Sequence, residues 1–114
     1  MTDHSICAEA GLPDPPKMTG LRLARIAKAL GHPARIHILE QFDQSPTHAA
    51  GEIVEECDLA QSTVSEHLRI LREADVLFAR KDGPRNRYCV RRSVLRAFAE
   101  AIENLAVEPV NEDR

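Results

Sequence analysis

The stretch from Glu52 to Leu71 limits most tightly what this chain can fold into. A short segment with Ile53 and Val54 on one side runs to Glu56, and Cys57-Asp58-Leu59-Ala60 follows as a turn. Gln61-Ser62-Thr63-Val64-Ser65 then opens a longer segment in which Val64, Leu68 and Leu71 recur at helical spacing. That spacing predicts a helix over about Gln61 to Asp75, with Gln61, Ser62, Ser65, Glu66 and Arg69 away from its apolar face. Two helices joined this way form a helix-turn-helix candidate. A generic three-helix core would also turn Val64 and Leu68 inward, but it has no need of Ser and Thr clustered at the head of the helix. Short hydrogen-bonding side chains there allow a helix end to enter a major groove about 12 Å wide and reach base edges. The amides of the first turn can also meet a phosphate.

The flanking sequence predicts helices, then a hairpin, then a helix. Met1 to Lys17 carries Gly11, Pro13, Pro15 and Pro16, which forbid a long helix. Leu23, Ile26, Ala27 and Leu30 mark an amphipathic helix over Leu21 to Leu30, stopped by Gly31. Pro33 restarts the chain at a first helical position, where its missing N–H costs nothing; Ile36, Leu39 and Phe42 then make one face. Gln44-Ser45-Pro46-Thr47 reads as a loop and Ala49 to Glu56 as a short helix. Leu77 to Arg80 and Arg87 to Val90 alternate like strands around Asp82-Gly83-Pro84, a hairpin signal. Leu95, Phe98, Ile102 and Leu105 form a narrow apolar seam suited to packing on a partner helix. The expected organisation is a flexible N-terminal arm (1–18), one domain (19–106) and a C-terminal tail (107–114).

Charge is unevenly placed along the 114 residues. The formal net charge of −3 disfavours a polyanionic partner, yet Gln61 to Arg96 holds nine Lys and Arg against four acids, a local +5 set against −8 elsewhere. Attraction is felt over a Debye length of about 8 Å, so a local basic block suits a phosphate-binding face; the alternative is that these cations only solvate helix surfaces. Apolar residues make up 43%, enough for a core without metals or disulfide staples, and aromatics only 4%, so the core is aliphatic. Three unevenly spaced cysteines argue against a disulfide framework and suit a reducing cytoplasm. No apolar run approaches the roughly 18–20 residues that cross a bilayer, and the first residues lack a signal pattern. Gly-rich phosphate loops, paired carboxylates and usable Cys/His dyads are absent, which excludes an enzyme.

Ala34-Arg35-Ile36-His37-Ile38-Leu39 after His32-Pro33, the run from Gln61 to Ala74, Gly83-Pro84-Arg85 and Tyr88 together resemble the ArsR/SmtB family of winged-helix repressors. The resemblance covers roughly Leu21 to Leu105. It implies a mainly α fold with a small β-hairpin wing: a dimeric winged helix-turn-helix that binds an inverted-repeat operator in double-stranded DNA and is released by an inducer. By position, Gln61, Ser62, Thr63, Ser65, His67 and Arg69 are the groove-facing set, and Arg80, Lys81, Arg85 and Arg87 belong to the wing. Leu23, Ile26 and Leu30 with Leu95, Phe98, Ile102 and Leu105 are the implied dimer interface. Ala60 stands where many members carry a Ser cap, and Asp75 where Gly is common. A winged-helix protein–protein module is the competing reading, disfavoured by the basic block.

The family is named for metal and metalloid sensing. Aligned on the recognition helix, its Cys-x-Cys site falls on Ala49 and Gly51, and Ser93 to Leu105 contains neither His nor Asp, so neither standard metal site is present. Cys57 suits a small buried hydrophobe and Cys89 an incidental place in the second wing strand. Because some members pair arm cysteines with one near the reading helices, Cys7 and Cys57 are the remaining candidates for a soft thiolate pair. Such a pair would take arsenite, antimonite or another thiophilic ion, or would be oxidised.

Overall fold

The structure, a computed structural model, describes residues 4–43 and 45–109. The outer ends of the expected arm and tail, and Gln44 of the expected loop, therefore lie outside the described residues. A 3₁₀ turn at His4–Cys7 precedes α1 (Gly20–Leu30) and α2 (Pro33–Glu40), and a second 3₁₀ turn follows at Gln41–Asp43. Next come β1 (Thr47–Ala49), α3 (Ala50–Cys57), α4 (Gln61–Glu73), β2 (Leu77–Asp82), β3 (Arg85–Val90) and α5 (Arg92–Ala106).

Local chemistry sets most boundaries. The Thr19 hydroxyl accepts from the Arg22 amide at 3.2 Å and caps α1. His32 caps α2 by accepting from the Ala34 amide at its Nδ1, with Pro33 at the first helical position. The left-handed Asp58 (φ 53°) ends α3. The end of α4 closes as a Schellman motif: the Asp75 amide donates to the Arg72 carbonyl and the Val76 amide to that of Leu71, both at 2.9 Å. Asp75 itself takes φ 65°, the conformation glycine would take freely.

Ile26, Ile38, Phe42, Ile53, Val64, Leu68, Leu71, Val76, Leu77, Val90 and Val94 form one core shared by all five helices and the sheet. In α2 the inward residue is Ile38 and not Ile36, which is exposed. The wing hairpin turns at Gly83-Pro84 with Asp82 opposite Arg85, and Gly83 sits at φ 65°. The sheet has a third strand that the sequence pattern missed: β1, read as the end of a loop, pairs antiparallel with β3, giving the order β1-β3-β2. The arm also departs from expectation. Rather than lying free, it is bonded to β3 through Cys7–Cys89 and hydrogen-bonded to Arg80, Arg91 and Ser93.

Candidate nucleic-acid interface

The core fixes how α4 is presented. With Val64, Leu68 and Leu71 buried, the helix turns Gln61, Ser62, Thr63 and Ser65 to solvent at its amino end. Ala60 provides no side-chain cap there, so the first-turn amides have no capping side chain from their own helix. Exposed hydroxyls, an amide side chain and open backbone donors thus occupy one surface with the local positive charge of a helix start.

His67 and Arg69 differ from expectation. His67 does not face a groove: it is 8% exposed, accepts from Arg35 Nε at 3.1 Å through Nδ1, and lies 4.7 Å from the His32 ring. Burial, the neighbouring His32 and Arg35 push its pKa below the usual range, so it is a neutral strut between α2 and α4. Helical spacing alone put His67 beside Leu68 without resolving which neighbour would cover it. Arg69 is exposed but bound to Glu66 and to Glu73, the latter at 2.8 Å. These carboxylates raise its pKa further and cancel much of its charge toward a distant phosphate.

The wing cations divide in the same way. Lys81 and Arg85 are exposed at the hairpin tip, and their side chains make no hydrogen bond among the described residues. Arg87 donates from Nε to Thr47 Oγ1 at 3.1 Å and stands 3.5 Å from Glu52, joining β3 to β1 and α3. Arg80 donates to the Ala8 carbonyl at 2.9 Å and lies over the Phe78 ring. Two of the four expected wing contacts are therefore occupied with holding the fold.

The cysteines are rearranged more fully. Cys7 forms a disulfide with Cys89, their Cα atoms 5.5 Å apart, and Cys57 is a half-buried free thiol whose pKa burial and Glu56 push up. The Cys7/Cys57 pair is thereby overturned, as is the reading of three cysteines as evidence against a disulfide. Cys89 is also fully buried, not incidental to the surface. Among the described residues no three His, Cys, Asp or Glu side chains come together to hold a metal, and no helix is long and apolar enough to cross a membrane.

Along the implied dimer seam, Ile26 belongs to the core of a single chain (0% exposed) and cannot meet a partner. Leu30, Leu95 and Phe98 pack half-buried against that core, and Leu23 is likewise half-buried. Ile102 and Leu105 are exposed, Leu105 at 75%, together with Leu21 on α1.

A helix-turn-helix whose second helix exposes a polar amino end, followed by a basic hairpin, defines a DNA-binding winged-helix regulator. Comparison with known proteins agrees. Residues 30–77 match a helix-turn-helix domain family. An HTH-type transcriptional regulator of Methanocaldococcus jannaschii is 36% identical over 69 residues, covering 60% of this chain and 78% of that one. An ArsR-like transcriptional regulator from Rhodococcus sp. RHA1 shares the fold with a TM-score of 0.70 at 21% identity, over 75% of this chain and 80% of the other. The homodimeric winged helix-turn-helix DNA-binding domain from Mycobacterium bovis shares it at a TM-score of 0.62 and 23% identity, over 88% of this chain and all of that fragment (100%). The chain belongs to the HTH-type transcriptional regulators, and it shares the winged helix-turn-helix fold of its ArsR-like structural neighbours.

Proposed function

We propose that the chain is a sequence-specific repressor that binds an inverted-repeat operator as a homodimer and leaves it when an inducer binds. Bases are read by Gln61, Ser62, Thr63 and Ser65, each well-formed bidentate contact giving about 1–3 kcal/mol of discrimination. Lys81 and Arg85 grip phosphate, which supplies affinity without sequence information. The observation that carries this reading is the uncapped, solvent-facing polar start of α4, together with a wing tip whose two cationic side chains are uncommitted. A second copy is the occupant proposed for the apolar residues Leu21, Ile102 and Leu105, with half-buried Leu23 beside Leu21 in the chain: large apolar side chains left exposed on α1 and α5 mark an interface, and the Mycobacterium bovis neighbour is homodimeric. Cysteine chemistry acting as inducer would run through the Cys7–Cys89 bond and not through Cys7 with Cys57.

The test is a salt titration on duplexes selected from the chromosome by the protein itself. A repressor prefers a palindromic site and loses affinity steeply with salt, and Arg85→Ala reduces the salt slope by about 1 while weakening all sequences alike. Ser65→Ala weakens the selected site and leaves random duplex unchanged. Weak, sequence-blind binding that is insensitive to Arg85→Ala would instead indicate a protein-docking module.

A further inference from the structure

Away from the α4 surface, a cavity of about 420 Å³ is bounded by Cys7, Pro46, Val90, Arg92 and Arg96. Glu9 and Ser93 also border it but are committed to each other and to Arg91. Of the two disulfide sulfurs, Cys89's belongs to a fully buried residue, whereas half-buried Cys7 borders the cavity. Arg92 and Arg96 are exposed one helical turn apart; Arg92 makes only a long 3.5 Å contact with the Phe42 carbonyl, and Arg96 has no hydrogen-bond partner among the described residues. An attackable sulfur thus shares a ligand-sized space with two uncommitted guanidiniums.

We propose that this cavity is a thiol-exchange site for a small anionic thiol, whose carboxylates are held by Arg92 and Arg96 while its sulfur reaches Cys7. Guanidinium forks match carboxylates in charge and geometry. The ligand's thiolate attacks Cys7 Sγ, forming a mixed disulfide, and the Cys7–Cys89 bond breaks with its electron pair leaving on Cys89 Sγ. Cys89 then takes a proton from water. Oxidation state is conserved: one disulfide is exchanged for another, and no further oxidant or reductant takes part.

The reaction is read on the oxidised full chain without DNA, so it succeeds or fails independently of operator binding. Glutathione, with two carboxylates, is compared with cationic cysteamine at equal thiolate concentration; each rate is divided by that on a linear peptide disulfide, and products are mapped by mass after alkylation. The expected result is an adduct on Cys7, with Cys89 alkylated, and a normalised preference for glutathione of at least about tenfold. The double variant Arg92→Gln/Arg96→Gln should bring that ratio near one. An adduct on Cys89, a ratio near one in the unaltered protein, a ratio unmoved by the double variant, or Cys7 and Cys89 alkylatable alongside the free Cys57 before any thiol is added would each overturn the proposal.

Discussion

Arg91 carries a guanidinium to the start of α5, where the residue is 8% exposed, and a buried cation needs an anion. Glu9 supplies it from the arm: its Oε1 accepts from Arg91 Nε at 3.3 Å, and its Oε2 accepts from the Ser93 amide at 3.1 Å. Since α5 has no side-chain cap of its own, this carboxylate from 84 residues away does the work of one. Burial pushes the Glu9 carboxyl up, but the hydrogen bonds from Ser93 and Arg91 together outweigh it and hold it below the usual 4.5. A folded-state pKa below the unfolded one means stability that is complete above the unfolded pKa and disappears as pH falls through the folded one. Glu9→Gln should therefore cost about 1–2 kcal/mol at neutral pH, measured by urea unfolding. The gap between the two proteins should narrow as pH drops below 4.5; a gap constant down to acid pH would show that the charge of Glu9 is irrelevant.

At the scale of elements, α4 is under-secured at one end and unusually secured at the other. Ala60 already has the extended backbone of a capping residue (φ −61°, ψ 146°) but no oxygen to use. Ala60→Ser should raise stability by about 1 kcal/mol, seen as a higher urea midpoint with unchanged slope. At the far end, Asp75 bears the left-handed turn and also accepts from Arg22 Nη1 at 3.3 Å. Asp75→Asn keeps the side-chain type that tolerates this turn but discharges the ion pair, and should cost about 1 kcal/mol. Asp75→Gly relaxes the backbone while losing the same pair, and should fall closer to the unaltered protein. Elements of this kind were legible in the sequence because their period or punctuation is local: Val64/Leu68/Leu71, Pro33 and Gly83-Pro84 each announce themselves within a few residues. What decides β1, His67 and Arg87 is distant. Three residues, Thr47 to Ala49, hold no alternation to recognise and become a strand only because β3 offers an edge. His67 is buried because Arg35 approaches its ring, and Arg87 is taken by Thr47 and Glu52 across the sheet. The proposed DNA-facing set could be read as a face of a helix, but its sorting into uncommitted and occupied side chains could not.

For the molecule as a whole, the strongest constraint is the covalent one that spacing alone did not reveal: Cys7 and Cys89 are 82 residues apart, and nothing local joins them. Closing so long a loop removes conformational freedom chiefly from the unfolded chain, by the loop-entropy estimate roughly 4.5 kcal/mol. It also fastens the arm that presents Glu9 to α5 and the Ala8 carbonyl to Arg80. Reduction, or Cys7→Ser, should lower the unfolding free energy by about 2–4 kcal/mol. The urea slope should steepen as the released chain exposes more surface on unfolding. Protein concentration must be held constant across the series, because the proposed dimerisation would add stability by mass action as well. Cys57→Ser separates this effect from thiol chemistry in general, since the half-buried Cys57 thiol closes no loop and its reduced and oxidised preparations should keep the full difference. Identical midpoints with and without reductant would mean that the arm docks through its hydrogen bonds alone, and that the disulfide merely records a proximity those bonds already enforce.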